Sequence, residues 1–156
     1  MPTHAVTLRV LAVALVAAVT LTATPVPAAV AAPTAGERKY QTKVFQVVNN
    51  IRANRDRVKL RKNKCLQRFA NRQAQRMANQ KRLFHQSLTK IQRSCGVGYV
   101  GENVACCRAP RATVRAWMGS KGHRANILHR KYRITGVAAR RGGGQWWVVQ
   151  VFGRKG

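Results

Sequence analysis

Along this chain the spacing of apolar residues changes from a continuous run to a helical period and then to near-solid strands. Residues 10–19, VLAVALVAAV, are apolar throughout and lead into TLTATPVPAAVAAPT. From Tyr40 the spacing becomes helical: Tyr40, Val44, Val47, Val48 and Ile51 line one face, the recurrence expected of a helix that buries a single stripe. Leu66, Phe69, Ala70, Ala74, Met77 and Ala78 form a second stripe, backed by the Arg, Gln and Asn of QRFANRQAQRMANQKR. Both segments predict helices with solvated arginine backs. LFHQSLTKIQRSCGVG is looser and ends in glycines, and VGENVACC (100–107) predicts a short strand or an ordered loop. Pro110 suits the first position of a third helix, where its missing N–H has no intrahelical partner to lose. GHRANILHRKY predicts a further turn or two of helix. RITGVAAR and QWWVVQVF, joined by RGGG, read as two strands of a glycine-rich hairpin. The last strand is apolar on both faces, Trp146 and Val148 against Trp147, Val149 and Val151, so both faces must be covered. Helices first, strands last and a doubly covered sheet predict an α+β sandwich.

The early apolar run changes the picture of the N-terminus. It is about a dozen residues long, short of the roughly 20 that span a bilayer. A weakly basic start, MPTHAVTLR, precedes it, and Ala29 and Ala31 supply an A-x-A pattern. Residues 1–31 therefore read as a signal peptide cleaved near Ala31; the alternative is an uncleaved anchor. Residues 32–39 then form a linker, 40–153 the domain, and 154–156 a basic end. About 115 residues remain for one core, enough for a single domain with disulfide help.

Charge narrows the function. The chain has 30 Lys and Arg against three acids, Glu37, Asp56 and Glu102. Loss of residues 1–31 would remove only Arg9, leaving a net charge of about +26. Such a surface attracts polyanions by counterion release. For an exported protein these are anionic envelope polymers, anionic lipids met by peripheral membrane contact, and nucleic acid bound without sequence preference. The plainer alternative is that the charge serves solubility. A cationic membrane-active or antimicrobial protein is a third reading, weakened by the lack of a long basic amphipathic stripe with aromatic anchors.

The same shortage of acids limits catalysis. A Ser-His-Asp arrangement would have to recruit Asp56 or Glu102 for Ser87, Ser94 or Ser120, none of which lies in a G-x-S-x-G elbow. A two-carboxylate glycosidase would need Glu102 with Asp56 or Glu37. A Cys–His nucleophile conflicts with export, which favours oxidised cysteine. His85, Glu102 and His123 survive as donors for a divalent cation such as zinc, although no H-E-x-x-H spacing is present. His129 lies six residues after His123, off its helical face, and reads as a surface residue. Cys65, Cys95, Cys106 and Cys107 are even in number, as expected of disulfides in an exported domain. Cys106 and Cys107 are poor partners for one another. On a strand they would point to opposite faces, one buried and one exposed, with a second chain as a possible partner.

LFHQS, VGENVA, AWMGSKGHRANIL, GVA and WVVQVFG, in that order, resemble the CAP superfamily of cysteine-rich secretory, antigen 5 and pathogenesis-related 1 proteins, in its bacterial exported branch. The resemblance runs from about Tyr40 to Gly153. It implies a three-layer α-β-α sandwich with a small central antiparallel sheet. It also implies a cleft of two histidines and two glutamates that binds a divalent cation in some members. Carried over by motif, these are His85, Glu102 and His123, with Gly136 in the family register after His123 and with Asn103, Trp117, Ser120 and Asn126 as supports. The second glutamate, expected after the tryptophan, is absent: Trp117 is followed by Met118, Gly119, Ser120 and Lys121. The resemblance further implies a Cys65–Cys95 bridge and leaves Cys106 and Cys107 without assigned partners. The function it favours is non-enzymatic binding of anionic or lipid-like envelope ligands. The alternative is a metal-dependent, protease-like hydrolase using His85, Glu102 and His123.

Overall fold

A computed structural model describes residue 1 and residues 31–156. The signal-peptide expectation therefore falls almost wholly outside the described residues. Among the described residues five helices and four strands follow in the order α1 (Ala35–Ala53), β1 (Arg61–Lys62), α2 (Lys64–Gln80), α3 (Leu88–Cys95), β2 (Val97–Cys106), α4 (Pro110–Gly119), α5 (Lys121–Leu128), β3 (Ile134–Gly142) and β4 (Gln145–Lys155). The sheet order is β1-β3-β4-β2. β4 pairs antiparallel with both β2 and β3, while β1 adds two residues parallel to β3. The sheet is thus mixed at one edge, where an antiparallel one was expected.

Alternation along β4 builds the three layers. Trp147, Val149 and Val151 join Leu66, Phe69, Met77 and Ile91 beneath α2 and α3. Val148 and Phe152 join Tyr40, Val44, Trp117 and Ile127 beneath α1, α4 and α5. Gly136 is required by the first layer: a Cβ there would overlap the backbone of α2 at Leu66 and Gln67. The glycine lets helix and sheet pack backbone to backbone.

Two expected boundaries move. The linker over 32–39 is helical from Ala35, because Thr34 accepts from the Glu37 N–H while Glu37 accepts from the Thr34 N–H, a reciprocal capping box. Glu37 is consequently buried, with a 2.9 Å ion pair to Arg140. The basic end over 154–156 is mostly strand, with Arg154 and Lys155 registered against Tyr99 and Val97. α3 was not anticipated from its loose stretch. It starts at Ser87, whose hydroxyl accepts from the Lys90 N–H, and stops at Gly96 in the left-handed region.

The four cysteines lie in two pairs. Cys65–Cys95 ties the start of α2 to the end of α3, as the resemblance implied. The Cys106 and Cys107 sulfurs lie against each other, although neighbours are poor partners for a bridge. Cys107 turns out of the strand at φ +74°, so the two sulfurs no longer point to opposite faces. Cys106 still packs against the core and Cys107 is exposed.

Candidate functional site

The middle of β2 and the segment before α3 meet in a cleft. Glu102 is almost fully buried, and its carboxylate is held from the α3 side. His85 Nδ1 lies 2.8 Å from Oε1, the Gln86 N–H donates to Oε1 at 3.2 Å, and the Gln86 amide donates to Oε2 at 2.5 Å. The segment is fixed in turn by buried Gln73, whose amide donates to the Phe84 carbonyl. The His85 side chain remains 59% exposed, so a ring oriented by a buried carboxylate presents its other nitrogen outward.

The opposite wall comes from α4 and α5. Asn126 donates to the Glu102 carbonyl at 3.1 Å and to Asn103 Oδ1 at 2.9 Å. Asn103 donates to the His123 carbonyl at 3.1 Å, and the Trp117 indole donates to the Val104 carbonyl at 3.0 Å. Gly101 makes this approach possible, since a Cβ there would collide with the Tyr132 hydroxyl and Asn126 Oδ1. The His123 ring lies 6.5 Å from that of Trp117. Burial first, and the nearby charge of His85 second, hold His123 below its ordinary pKa, so its imidazole is neutral at pH 7.

The structure brings His85, Glu102, Asn103, Trp117 and Asn126 into one connected cluster with His123. Ser120 stands apart: it is the junction of α4 and α5, and its side chain makes no capping bond. His129 is not the surface residue expected. It is half-buried and stacked on Tyr132 at 4.4 Å, with its pKa lowered by burial and then by Lys131 and Arg52. Gln86 is the residue that sequence reasoning missed. Its position directly after His85 is the only signal, because a glutamine in a loop carries no chemical signature.

A reactive zinc site takes three protein ligands and leaves one position open. Here Glu102 sits behind His85 with both oxygens already engaged, the place of a carboxylate that orients a ligating imidazole. That leaves the two imidazoles, near enough for the charge of His85 to bear on His123. Among the described residues no group of three or more His, Cys, Asp and Glu side chains is arranged to hold a metal ion. These residues do not fit a three-ligand zinc centre.

Residues 45–152 match the family model described as the cysteine-rich secretory protein family, CAP. The chain belongs to the CAP family. The protein YkwD of Bacillus subtilis strain 168 is 32% identical over 135 residues, covering 81% of this chain and 50% of that protein. A solved extracellular protein containing an SCP domain, from Bacillus anthracis strain Ames, is 25% identical with a TM-score of 0.68, covering 76% of this chain and 41% of the other. A cysteine-rich secretory protein from Staphylococcus aureus superposes with a TM-score of 0.67 at 20% identity, covering 79% and 41%. The chain thus spans about half the length of these relatives or less. Within the CAP fold this site holds two histidines and one glutamate, and Lys121 opens α5.

Proposed function

We propose that this CAP-family chain is an exported, strongly cationic protein that binds anionic or lipid-like ligands of the cell envelope without turning them over. The observation that carries this reading is the burial of two of its three acids away from its surface cations. Among the described residues, Glu37 is buried with Arg140 and Glu102 is buried beneath His85. Asp56 is exposed in the turn after α1, so the remaining Lys and Arg have almost no acid to neutralise them. A field of this size concentrates polyanions and speeds their capture. No helix among the described residues is long and apolar enough to cross a membrane, which suits peripheral contact. Sedimentation of the oxidised mature protein with phosphatidylglycerol vesicles, poly(glycerol phosphate) and single-stranded DNA at 0.15 M salt tests the reading. Binding to at least one is expected, weakening steeply with salt; indifference to all three would overturn it.

A second reading, hydrolysis in the cleft, rests on the His85–Glu102 pair. The buried carboxylate fixes the ring and leaves its outer nitrogen free to take a proton, as a general base must. No carboxylate stands where a second acid or base would act. Peptide and ester hydrolysis by the wild type, abolished in His85→Ala and retained in Arg115→Ala, would support turnover. Activity unchanged in both variants would remove the cleft from any reaction observed.

A further inference from the structure

The outer face of α2 carries Arg68, Arg72 and Arg76 at four-residue intervals, all exposed. At 1.5 Å rise per residue they step about 6 Å apart along the helix axis. Two hollows run along this ridge and a third adjoins them, sharing walls. One, about 490 Å³, lies between α2 and the start of α3 and is lined by Arg72, Arg76, Phe84, His85 and Lys90, among others. The next, about 320 Å³, shares Arg72 and adds Arg68, Asn71 and Arg140, the last already paired with Glu37. The third, also about 320 Å³, shares Pro33 and Asn71 with the second and adds Arg38 and Lys62. No acidic residue lines any of them. The tract is therefore elongated, continuous and of one sign.

We infer that this α2 ridge is a track for a linear polyphosphodiester whose repeats carry no nucleobase. The inference rests on the anionic-ligand reading above and gives it a place and a polymer. Elongation favours a chain over a single phosphate, because successive guanidiniums match successive charges along one line. The aromatic rings argue against nucleic acid, which is gripped as a single strand by bases stacked on open rings. Here the rings are covered by cations: Arg72 lies over Phe69 at 4.9 Å, Arg76 and Arg82 over Phe84 at 5.9 and 5.1 Å, and Lys62 over Phe45 at 5.2 Å. A membrane is also a poor fit. Among the described residues the exposed large apolar ones are Met1, Val58, Leu83 and Tyr99, none of which lines the tract, so it offers a bilayer no apolar anchor of its own. What remains is charge and hydrogen bonding spaced along a line, which suits an alditol or sugar phosphate backbone.

The test compares two triple variants of the oxidised mature protein with equal loss of charge. Arg68→Gln, Arg72→Gln and Arg76→Gln remove the ridge. Arg115→Gln, Lys121→Gln and Arg130→Gln remove three exposed cations from α4, α5 and the loop after it, across the sheet. Circular dichroism and thermal melts establish that both fold. Affinity for synthetic poly(glycerol phosphate) is measured against salt. The ridge variant is expected to lose roughly tenfold or more, and its slope of log K against log salt to fall by about 2, near 0.7 for each lost phosphate contact on a single strand. The control is expected to lose less than threefold. Equal losses in both variants would overturn the track while leaving general polyanion binding intact. Tighter wild-type binding to oligothymidylate of equal charge, or to phosphatidylglycerol vesicles, would overturn the choice of polymer. A wild type that binds none of the three probes would fail the broader reading instead.

Discussion

Glu37 and Arg52 pose opposite electrostatic problems at the two ends of α1. Arg52 is a fully buried cation with no acid beside it. It survives by donating to the carbonyls of Val58, Ile127, His129 and Tyr132 at 2.6–3.2 Å, two of which close the negative end of α5. Burial, helped by Arg133 and Arg57, lowers its pKa to about 10, and it stays charged at neutral pH. Glu37 is the buried anion. Burial by itself would raise its pKa. Hydrogen bonds from the Thr34 and Arg141 N–H groups and from the Arg140 guanidinium outweigh that and hold it below its ordinary value of 4.5. A carboxyl depressed in the folded state binds protons more readily unfolded, so it stabilises the fold above pH 4.5 and this contribution is lost as pH falls through the folded value. Glu37→Gln leaves buried Arg140 without its anion and should cost about 3 kcal/mol at pH 7. The expected melts show a wild type that loses stability below pH 4.5 and a variant that is weaker at neutral pH with a shallower acid limb. A variant as acid-sensitive as the wild type would remove Glu37 from the account.

At the scale of elements, the helices and strands with strong periodicity were legible, and those made by caps were not. α2 and β4 follow from apolar spacing alone. α3 has one buried apolar residue, Ile91, and is defined instead by Ser87, Gly96 and a disulfide at its last residue. β1 is two residues long and exists because it lies beside β3, which no local pattern encodes. The cleft divides in the same way. His85, Glu102 and His123 lie 17 and 21 residues apart along the chain, so only the order of family motifs joined them, and Gln86 was invisible. The two cysteine pairs differ for a related reason. Cys65–Cys95 closes a loop with a sequence separation of 30, and constraining that loop in the unfolded chain is worth about 3.5 kcal/mol. Cys106–Cys107 spans one peptide and closes no loop. Replacing both Cys65 and Cys95 by Ala should lower the melting temperature by 10 °C or more, taking about 4 °C per kcal/mol. Replacing Cys106 and Cys107 together should change it by only a few degrees, as read by calorimetry. A reversed order would place structural importance in the vicinal pair and refute the entropic argument.

For the whole molecule, the consequence of 30 basic and three acidic side chains is self-repulsion that folding concentrates. A protein with balanced charge has attractive surface pairs, and added salt weakens them. Here the ion pairs among the described residues are Glu37–Arg140, which is buried, and His85–Glu102, whose acid is buried, so salt has little attraction to screen. What it does screen is repulsion between exposed cations, over a Debye length that shrinks from about 30 Å at 0.01 M to about 8 Å at 0.15 M. The unfolded chain holds the same charges farther apart and gains less from screening. The melting temperature of the protein should therefore rise by several degrees between 0.01 and 0.2 M sodium chloride. That range lies below concentrations where salts act mainly through exclusion from the surface. Poly(glycerol phosphate) should do the same at far lower ionic strength, because a ligand at free concentration L that binds the folded state stabilises it by RT ln(1 + L/Kd). A melting temperature that is flat or falling with sodium chloride would mean that the cations are neutralised in a way the fold does not account for.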